Sequence, residues 1–324
     1  MLIGLFIVLL FFIFLGTPVL LAIGVVGLAG IIIQEVNPAI FPQKMFASID
    51  SFSLLAMPYF ILAGELMARG GMSKKLVEFA ETVVGHLRGG LGHASVVASM
   101  IFANVSGSAT ASTAAIGSIL IPSMKERGYK PGFSASLLAT AGVIGSIIPP
   151  SMVMIVYGSM AEVSVGGLFL AGIIPGLLIV GGLMGTIYMH SFSKRFPELK
   201  VTTGKFNLKA VLKSTARVWV ALVAPVIVLG GILGGVFTAT EAGVVACVYS
   251  FIVSFFIYRA VSWKELPGML VNGAVTTAMV VGIISVAGAF GWLLTYLDFN
   301  DLVMDFVMGI SDNPKVVLFA LILI

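Results

Sequence analysis

The sequence predicts an all-α polytopic membrane protein. Three observations carry that reading: 59% of its 324 residues are apolar, only 10% are charged, and the mean hydropathy is +1.13. A soluble domain carries about 25% charged residues and roughly 45–50% apolar ones. So few charges leave too little polar surface to cover this apolar mass in water. The composition argues against a soluble enzyme, a secreted disulfide module, a nucleic-acid binder and a disordered tail. The 38 glycines and 13 prolines fit, since transmembrane helices tolerate both. A single cysteine, Cys247, excludes a disulfide framework. The net charge of +4 reads first as an orientation signal in the loops.

A span needs about 20 apolar residues, and a run well below 18 can be re-entrant. Residues 2–33 form one apolar run, long for a single crossing, that Gly16-Thr17-Pro18 interrupts. Proline inside a helix removes a backbone donor and clashes one turn back. The run reads as two short passes, 2–15 and 18–33, with one bent helix as the alternative. Further runs follow at 52–67, 91–124, 133–160, 166–190, 218–237, 242–258 and 269–297, and a last one begins at 316. Residues 73–87 place Leu76, Val77, Phe79, Ala80, Val83, Val84 and Leu87 near one face, predicting an amphipathic helix along the cytoplasmic interface. Residues 191–215 are the longest polar stretch and read as a basic linker between two similar halves.

The charges sort into two sets. Segments 69–88, 125–130, 194–217 and 259–265 hold 16 of the 18 basic residues and 5 of the 14 acidic ones. The other loops carry Glu35, Asp50, Glu162, Glu241, Asp298, Asp301, Asp305 and Asp312 against Lys44 and Lys315. The positive-inside rule makes the first set cytoplasmic. All four segments share one side only if residues 91–124 enter and leave by the same face. That run is too long for one helix and is polar in its middle, so it reads as a re-entrant hairpin. This parity puts the amino terminus outside.

Element order suggests an inverted repeat, a construction principle of secondary transporters. Thr17-Pro-Val-Leu-Leu-Ala-Ile-Gly-Val-Val-Gly27 resembles Thr238-Ala-Thr-Glu-Ala-Gly-Val-Val-Ala246. In each half a span, an amphipathic stretch and a new apolar run follow in turn, and the stretches are basic at 73–87 and acidic at 300–310. The division is first-repeat scaffold helices with the amphipathic helix (1–88), a hairpin and broken helix (89–192), a linker (193–215) and a second repeat (216–324). The second repeat stops before its own hairpin tip, so a carboxy-terminal part is expected beyond this sequence.

Chemistry is expected in Phe102–Pro122, FANVSGSATASTAAIGSILIP. No charge occurs between Arg88 and Lys125, yet Asn104, Ser106, Ser108, Thr110, Ser112 and Thr113 cluster at mid-hairpin around Gly107. Polar groups at membrane depth are costly unless they face protein or a watery cavity. Helix amino termini favour an anion, while free carbonyls and hydroxyls suit a hard cation such as Na⁺. The competing reading is hydroxyl glue between closely packed helices. A second break lies at GVIGSIIPPS (142–151), where Pro149-Pro150 cannot continue a helix. Gly145 and Ser146 let backbone or an ion approach there, making a second wall of one site. Glu65 is an intramembrane carboxylate expected to pair with Arg69 at i+4. Glu241 suits a helix amino terminus, and Trp219, Trp263 and Trp292 read as interface anchors. His86, His93 and His190 lack ligand partners. No HExxH, Walker A, GxSxG or CxxC motif occurs, so an enzyme is not expected.

These residues resemble the large membrane (permease) subunit of TRAP (tripartite ATP-independent periplasmic) transporters. The resemblance is carried by Pro58-Tyr-Phe-Ile-Leu-Ala-Gly-Glu-Leu-Met67, Gly85-His-Leu-Arg-Gly-Gly-Leu91, Ser106-Gly-Ser-Ala109, Ile121-Pro122, Arg127-Gly-Tyr129, Gly132, Ile147-Ile-Pro-Pro-Ser151 and Phe169-Leu-Ala-Gly172. It implies an elevator-type, Na⁺-driven symporter of the ion-transporter superfamily, in the bacterial inner membrane. A small four-helix membrane subunit and a periplasmic substrate-binding protein would be its partners. Its substrate would be a carboxylate of the C4-dicarboxylate or sialic acid class. By the family pattern, Asn104, Ser106, Gly107, Gly145 and Ile148 would lie near a Na⁺ site. Ser108, Thr110, Ser112, Thr113 and Ser151 would lie near substrate, with Pro149 and Pro150 as the helix break. A passive channel and a scaffold subunit of a transport complex are the alternatives.

Overall fold

The computed structural model describes residues 1–194, 196–200, 202, 206–309 and 313–323. Arg195, Lys205 and Asp312, counted in the charge sorting, lie outside the described residues, as does Ile310 at the end of the acidic stretch. Every regular element among the described residues is helical. In chain order they are α1 (Leu2–Phe14), α2 (Val19–Ile33), α3 (Ile40–Ile49), α4 (Ala56–Arg69), α5 (Met72–Val84), α6 (Gly90–Ser106), α7 (Ala109–Glu126) and α8 (Pro131–Val143). Then follow α9 (Met152–Met160), α10 (Val165–His190), α11 (Leu208–Leu233), α12 (Ala239–Ile252), α13 (Leu266–Tyr296), α14 (Phe299–Met308) and α15 (Pro314–Leu323). Helices satisfy their own backbone groups, which an apolar environment requires. Among the described residues five segments are long and apolar enough to cross a membrane: Phe52–Arg69, Val165–His190, Leu208–Leu233, Ala239–Ile257 and Leu266–Tyr296. They leave large apolar side chains uncovered, among them Ile174, Leu178 and Val226, as lipid-facing helices do.

The chain forms two compact units, residues 1–50 with 278–324 and residues 51–277. In the first, α1 and α2 are separate helices, as the Gly16-Thr17-Pro18 interruption predicts. Leu5 seats against Gly30, so they run antiparallel. At 13 and 15 residues each rises about 20 Å, short of a ~30 Å hydrocarbon core. Helix α3 has no counterpart in the sequence reading, because its apolar pattern is broken by Gln43 and Lys44. Its Phe41 packs on Gly27 and joins Val26, Phe290 and Leu293 in a small core.

The second unit holds the main core. Helices α4 and α12 pack side by side, tied where Thr240 Oγ1 donates to the Phe52 carbonyl (2.8 Å) and Ser254 Oγ donates to the Leu66 carbonyl (2.9 Å). Both pairs are separated by 188 residues, so the helices run parallel. Their following basic segments therefore leave at one end.

The remaining basic segments gather at that end. Lys75 Nζ stands 4.7 Å over the Tyr258 ring, and Arg127 Nη2 lies 3.9 Å from Glu81 Oε2. Arg88 lies 4.9 Å over Phe192, and the His86 and Phe206 rings are 5.1 Å apart. The Tyr129 hydroxyl, pushed up to about 12 by burial, bonds the Leu91 backbone. The turn after α7 thus returns to the start of α6, giving the hairpin one entry and exit. The charge pattern required this parity.

Helix α5 is amphipathic as expected, and the structure shows what covers most of its apolar face: Leu76, Val77, Ala80 and Val84 pack on protein, while Phe79, Val83 and Leu87 are partly buried. Leu76 and Ala80 are fully buried in a core with Leu91, Ala94, Val220 and Ala221. A helical apolar stripe reports burial without naming the partner, and here the partner is protein. The linker is also shorter than its composition implies, since 208–215 is already the start of α11.

Leu76→Ala should therefore lower the unfolding midpoint in detergent by on the order of 10 °C, as a buried leucine truncation does. Exposed Glu78→Ala should leave it nearly unchanged. Equal midpoints for the two variants would return α5 to the lipid surface. Burial raises the Glu81 carboxyl above its ordinary range, with Glu78 adding to the rise and Arg127 opposing it. The folded state then holds that proton more tightly than the unfolded chain, so this contribution is present at acid pH and lost as pH rises. Glu81→Gln should raise the midpoint at neutral pH and flatten its acid-side slope.

Candidate functional site

Two interruptions build the site, and both follow from local sequence. Helix α6 ends at Ser106 because Gly107 takes φ +60°, and its N–H caps the Ala103 carbonyl at 2.9 Å. Ser108 is extended and opens α7, its Oγ accepting from Ala111 N at 3.3 Å. Downstream, α8 passes through a 3₁₀ turn, Ile144–Ser146, into a Pro149–Pro150 segment whose linking peptide is cis. Ser151 then opens α9, its Oγ accepting from Met154 N (3.4 Å) and donating to the Ser146 carbonyl (2.6 Å).

The two breaks touch through backbone. Met152 N–H donates to the Gly107 carbonyl at 3.1 Å. A Cβ on Gly107 would stand 2.9 Å from the Pro150 carbonyl oxygen, and one on Gly145 would stand 2.9 Å from that of Ser108. Glycine at these two positions is a steric requirement of the contact.

The predicted residues divide by surroundings. Ser106 and Ser112 are buried and share a hydrogen bond of 3.2 Å. Asn104 Oδ1 is buried close to this pair in sequence and has no hydrogen-bond partner among the described residues. Ile148 seats on Gly176 of α10, and Pro149 and Pro150 are buried. Ser108 and Thr110 bond each other at 3.0 Å and line an open cleft. Thr113 turns elsewhere: its Oγ1 donates to the Ala109 carbonyl at 2.9 Å and abuts Gly142 of α8. Ser151 is spent within the break. The structure thus joins Gly107 and Gly145 at the break contact, with Ser106 and Asn104 at the end of α6 leading into it. Ser108 and Thr110 face the cleft, while Ser112, Thr113 and Ser151 serve the packing behind it.

The cleft has a volume of about 660 Å³, within the range of small-molecule sites. One wall is the hairpin, with Ser106, Ser108, Thr110 and the small residues Ala111 and Ala115. The other is the end of α4 and start of α5, with Glu65, Arg69 and Lys74. Glu65 and Arg69 do form the expected i+4 pair, Nε to Oε1 at 2.7 Å. Their place opposite the hairpin tip was missed, because only long-range packing of Gly64 on Ser106 brings α4 there. Among the described residues no group of three or more His, Cys, Asp and Glu could hold a metal.

A family model described as the tripartite ATP-independent periplasmic transporter, DctM component, matches residues 4–324. The chain is 38% identical over 308 residues to the isethionate TRAP transporter permease protein DctMQ of Oleidesulfovibrio alaskensis, covering 95% of this chain and 48% of the relative. It is 39% identical over 271 residues to the C4-dicarboxylate TRAP transporter large permease protein DctM of Pseudomonas aeruginosa (84% and 62%). It is 34% identical over 306 residues to the sialic acid TRAP transporter large permease protein SiaM of Vibrio cholerae (94% and 71%). The chain therefore spans about half to seven tenths of the length of these relatives.

Gly145→Ala should push the break from the hairpin tip and destabilise the protein by about 1–3 kcal/mol. Gly182→Ala, in α10 with open space around it, should be neutral or stabilising by up to about 1 kcal/mol. Thermal melts of the two variants check the contact; an unperturbed Gly145→Ala would contradict it.

Proposed function

Because the chain belongs to the tripartite ATP-independent periplasmic transporters, as a DctM component, we propose that it is the subunit of a Na⁺-coupled symporter that imports an organic acid. The observation behind this reading is the junction of two interrupted helices at Met152 N–H and the Gly107 carbonyl. The amino termini of α7 and α9 start there, favouring an anion, while the carboxy end of α6 supplies carbonyls that favour a cation. Asn104 Oδ1 is a buried oxygen without a donor, which Na⁺ would satisfy; Ser106 and the backbone at Gly107 and Gly145 complete an oxygen-rich surrounding. Ser108 and Thr110 meet the substrate in the cleft.

The substrate is an anion of the type named for the relatives, a C4-dicarboxylate, a sialic acid or a sulfonate such as isethionate. A periplasmic binding protein delivers it, and a small four-helix membrane subunit stands beside this chain. The protein lies in the bacterial inner membrane with its amino terminus periplasmic, a placement supported by the gathering of basic segments at one end. Alternating access proceeds by an elevator-type movement of hairpin and broken helix. The order α4–α5–α6 against α13–α14–α15 supports the repeat such a movement uses.

Vesicles holding the full-length transporter and its partners should accumulate labelled succinate, N-acetylneuraminate or isethionate under an inward Na⁺ gradient. Ser106→Ala with Ser108→Ala should cut Na⁺-dependent uptake at least tenfold, given the weight of charge-assisted contacts. Undiminished uptake would remove the site from the hairpin tip. Ohmic current without a Na⁺ requirement would favour a channel.

A further inference from the structure

The hydroxyls at the hairpin tip do not distinguish an acid from a neutral polyol. The opposite wall of the cleft can. Arg69 ends α4 there, its side chain 44% exposed, and Glu65 holds it through Nε alone. Among the described residues this is its one carboxylate partner, so the two terminal guanidinium nitrogens remain as an end-on fork. Such a fork matches the paired oxygens of a carboxylate or sulfonate. Lys74 is exposed on the same wall, one turn into α5.

The start of α5 adds to this. Gly71 precedes it in the left-handed region at φ +75°, and no side chain caps the helix. Gly71 and Ser73, at the start of this helix, line the cleft beside Arg69. A helix amino terminus without a side-chain cap favours an anion. Arg69 and Lys74 line the same cleft as Ser108 and Thr110.

We propose that Arg69 and Lys74 bind the acid group of the transported anion, with Glu65 positioning the guanidinium through Nε. This rests on the uptake reading above and names its recognition residues. The anion lies between two walls, its acid group on Arg69 and Lys74 and its remaining polar groups on the hairpin hydroxyls. Glu65 also sets the charge. With it, the fixed charges of this wall sum to one positive, which a single acid group neutralises; without it they would sum to two. The site therefore selects for charge at one end and tolerates varied chemistry at the other.

The test is ligand-induced thermal stabilisation of the full-length protein, solubilised with its small membrane subunit, using succinate, N-acetylneuraminate and isethionate as probes. At least one should stabilise the parent protein. Arg69→Gln and Lys74→Gln should each raise its Kd roughly tenfold or more, the loss expected for a charge-assisted contact. Arg69→Lys should recover part of that loss. If Arg69→Gln does not fold, Lys74→Gln at its exposed position decides. Parent-like affinity in either folded variant, or no stabilisation of the parent by any probe, overturns the proposal. Replacing Na⁺ by K⁺ in the same assay separates the two readings. Stabilisation that survives the exchange removes the coupling and leaves the anion site standing.

Discussion

Backbone that leaves a helix in apolar surroundings must find new hydrogen-bond partners, and the rest of this structure depends on how that is met. Neither break could stand alone. The Gly107 carbonyl, freed by the end of α6, accepts from Met152 N–H, freed by the prolines before α9. Each interruption thus supplies what the other lacks. Serine caps, Ser108 and Ser151, satisfy further amides at the start of α7 and α9. The junction is thereby stable without burying a fixed charge, and its leftover polarity, Asn104 Oδ1, is uncommitted.

The surrounding helices exist to hold that junction. Gly64 of α4 seats Ser106, and Gly176 of α10 seats Ile148, so the hairpin tip and the break are each gripped from outside. Helix α5 covers the hairpin with the buried part of its apolar face, Leu76, Val77 and Ala80, and α12 fixes α4 by hydrogen bonds near both ends. Cation–ring contacts of Lys75, Arg88 and Lys130 close the basic end. Such contacts are individually worth about 0.5–1 kcal/mol where exposed. Their placement is more informative than their strength, because it gathers segments far apart in the chain at one level.

Much of this was legible in the sequence, for local reasons. Gly16-Thr17-Pro18 and Pro149-Pro150 are strong local helix breakers, Gly107-Ser108 stood out by its place among clustered hydroxyls in a run too long for one helix, and the charges had one consistent sorting. What stayed hidden required knowing which face meets which. Ser112 and Thr113 look equivalent to Ser108 and Thr110 in a string of hydroxyls, yet helical rotation turns the first pair toward Ser106 and Gly142. The amphipathic pattern of α5 could not say whether lipid or protein covers it. Helix α3 lacks a clean apolar period, because one phenylalanine, Phe41, makes most of its burial. Arg69 was read as a partner for Glu65, and so it is. Its second role depends on a neighbour some forty residues on, which no spacing rule reaches.

The division of labour across the cleft follows from where charge can be afforded. A fixed charge at the junction would sit among buried side chains, where desolvation costs several kcal/mol per ion. Neutral oxygens avoid that cost and still suit a cation that brings its own charge. At the α4–α5 wall, Arg69 and Lys74 remain exposed to the cleft, and Glu65 already compensates one of them. Placing fixed charge only there keeps the buried junction neutral when empty. On the proposed reading, Na⁺ at the junction and an acid group at the far wall then add opposite charges to one cleft. The acid group offsets the net positive charge of the α4–α5 wall and Na⁺ meets the uncommitted Asn104 oxygen, so each ligand answers a different deficit of the empty cleft.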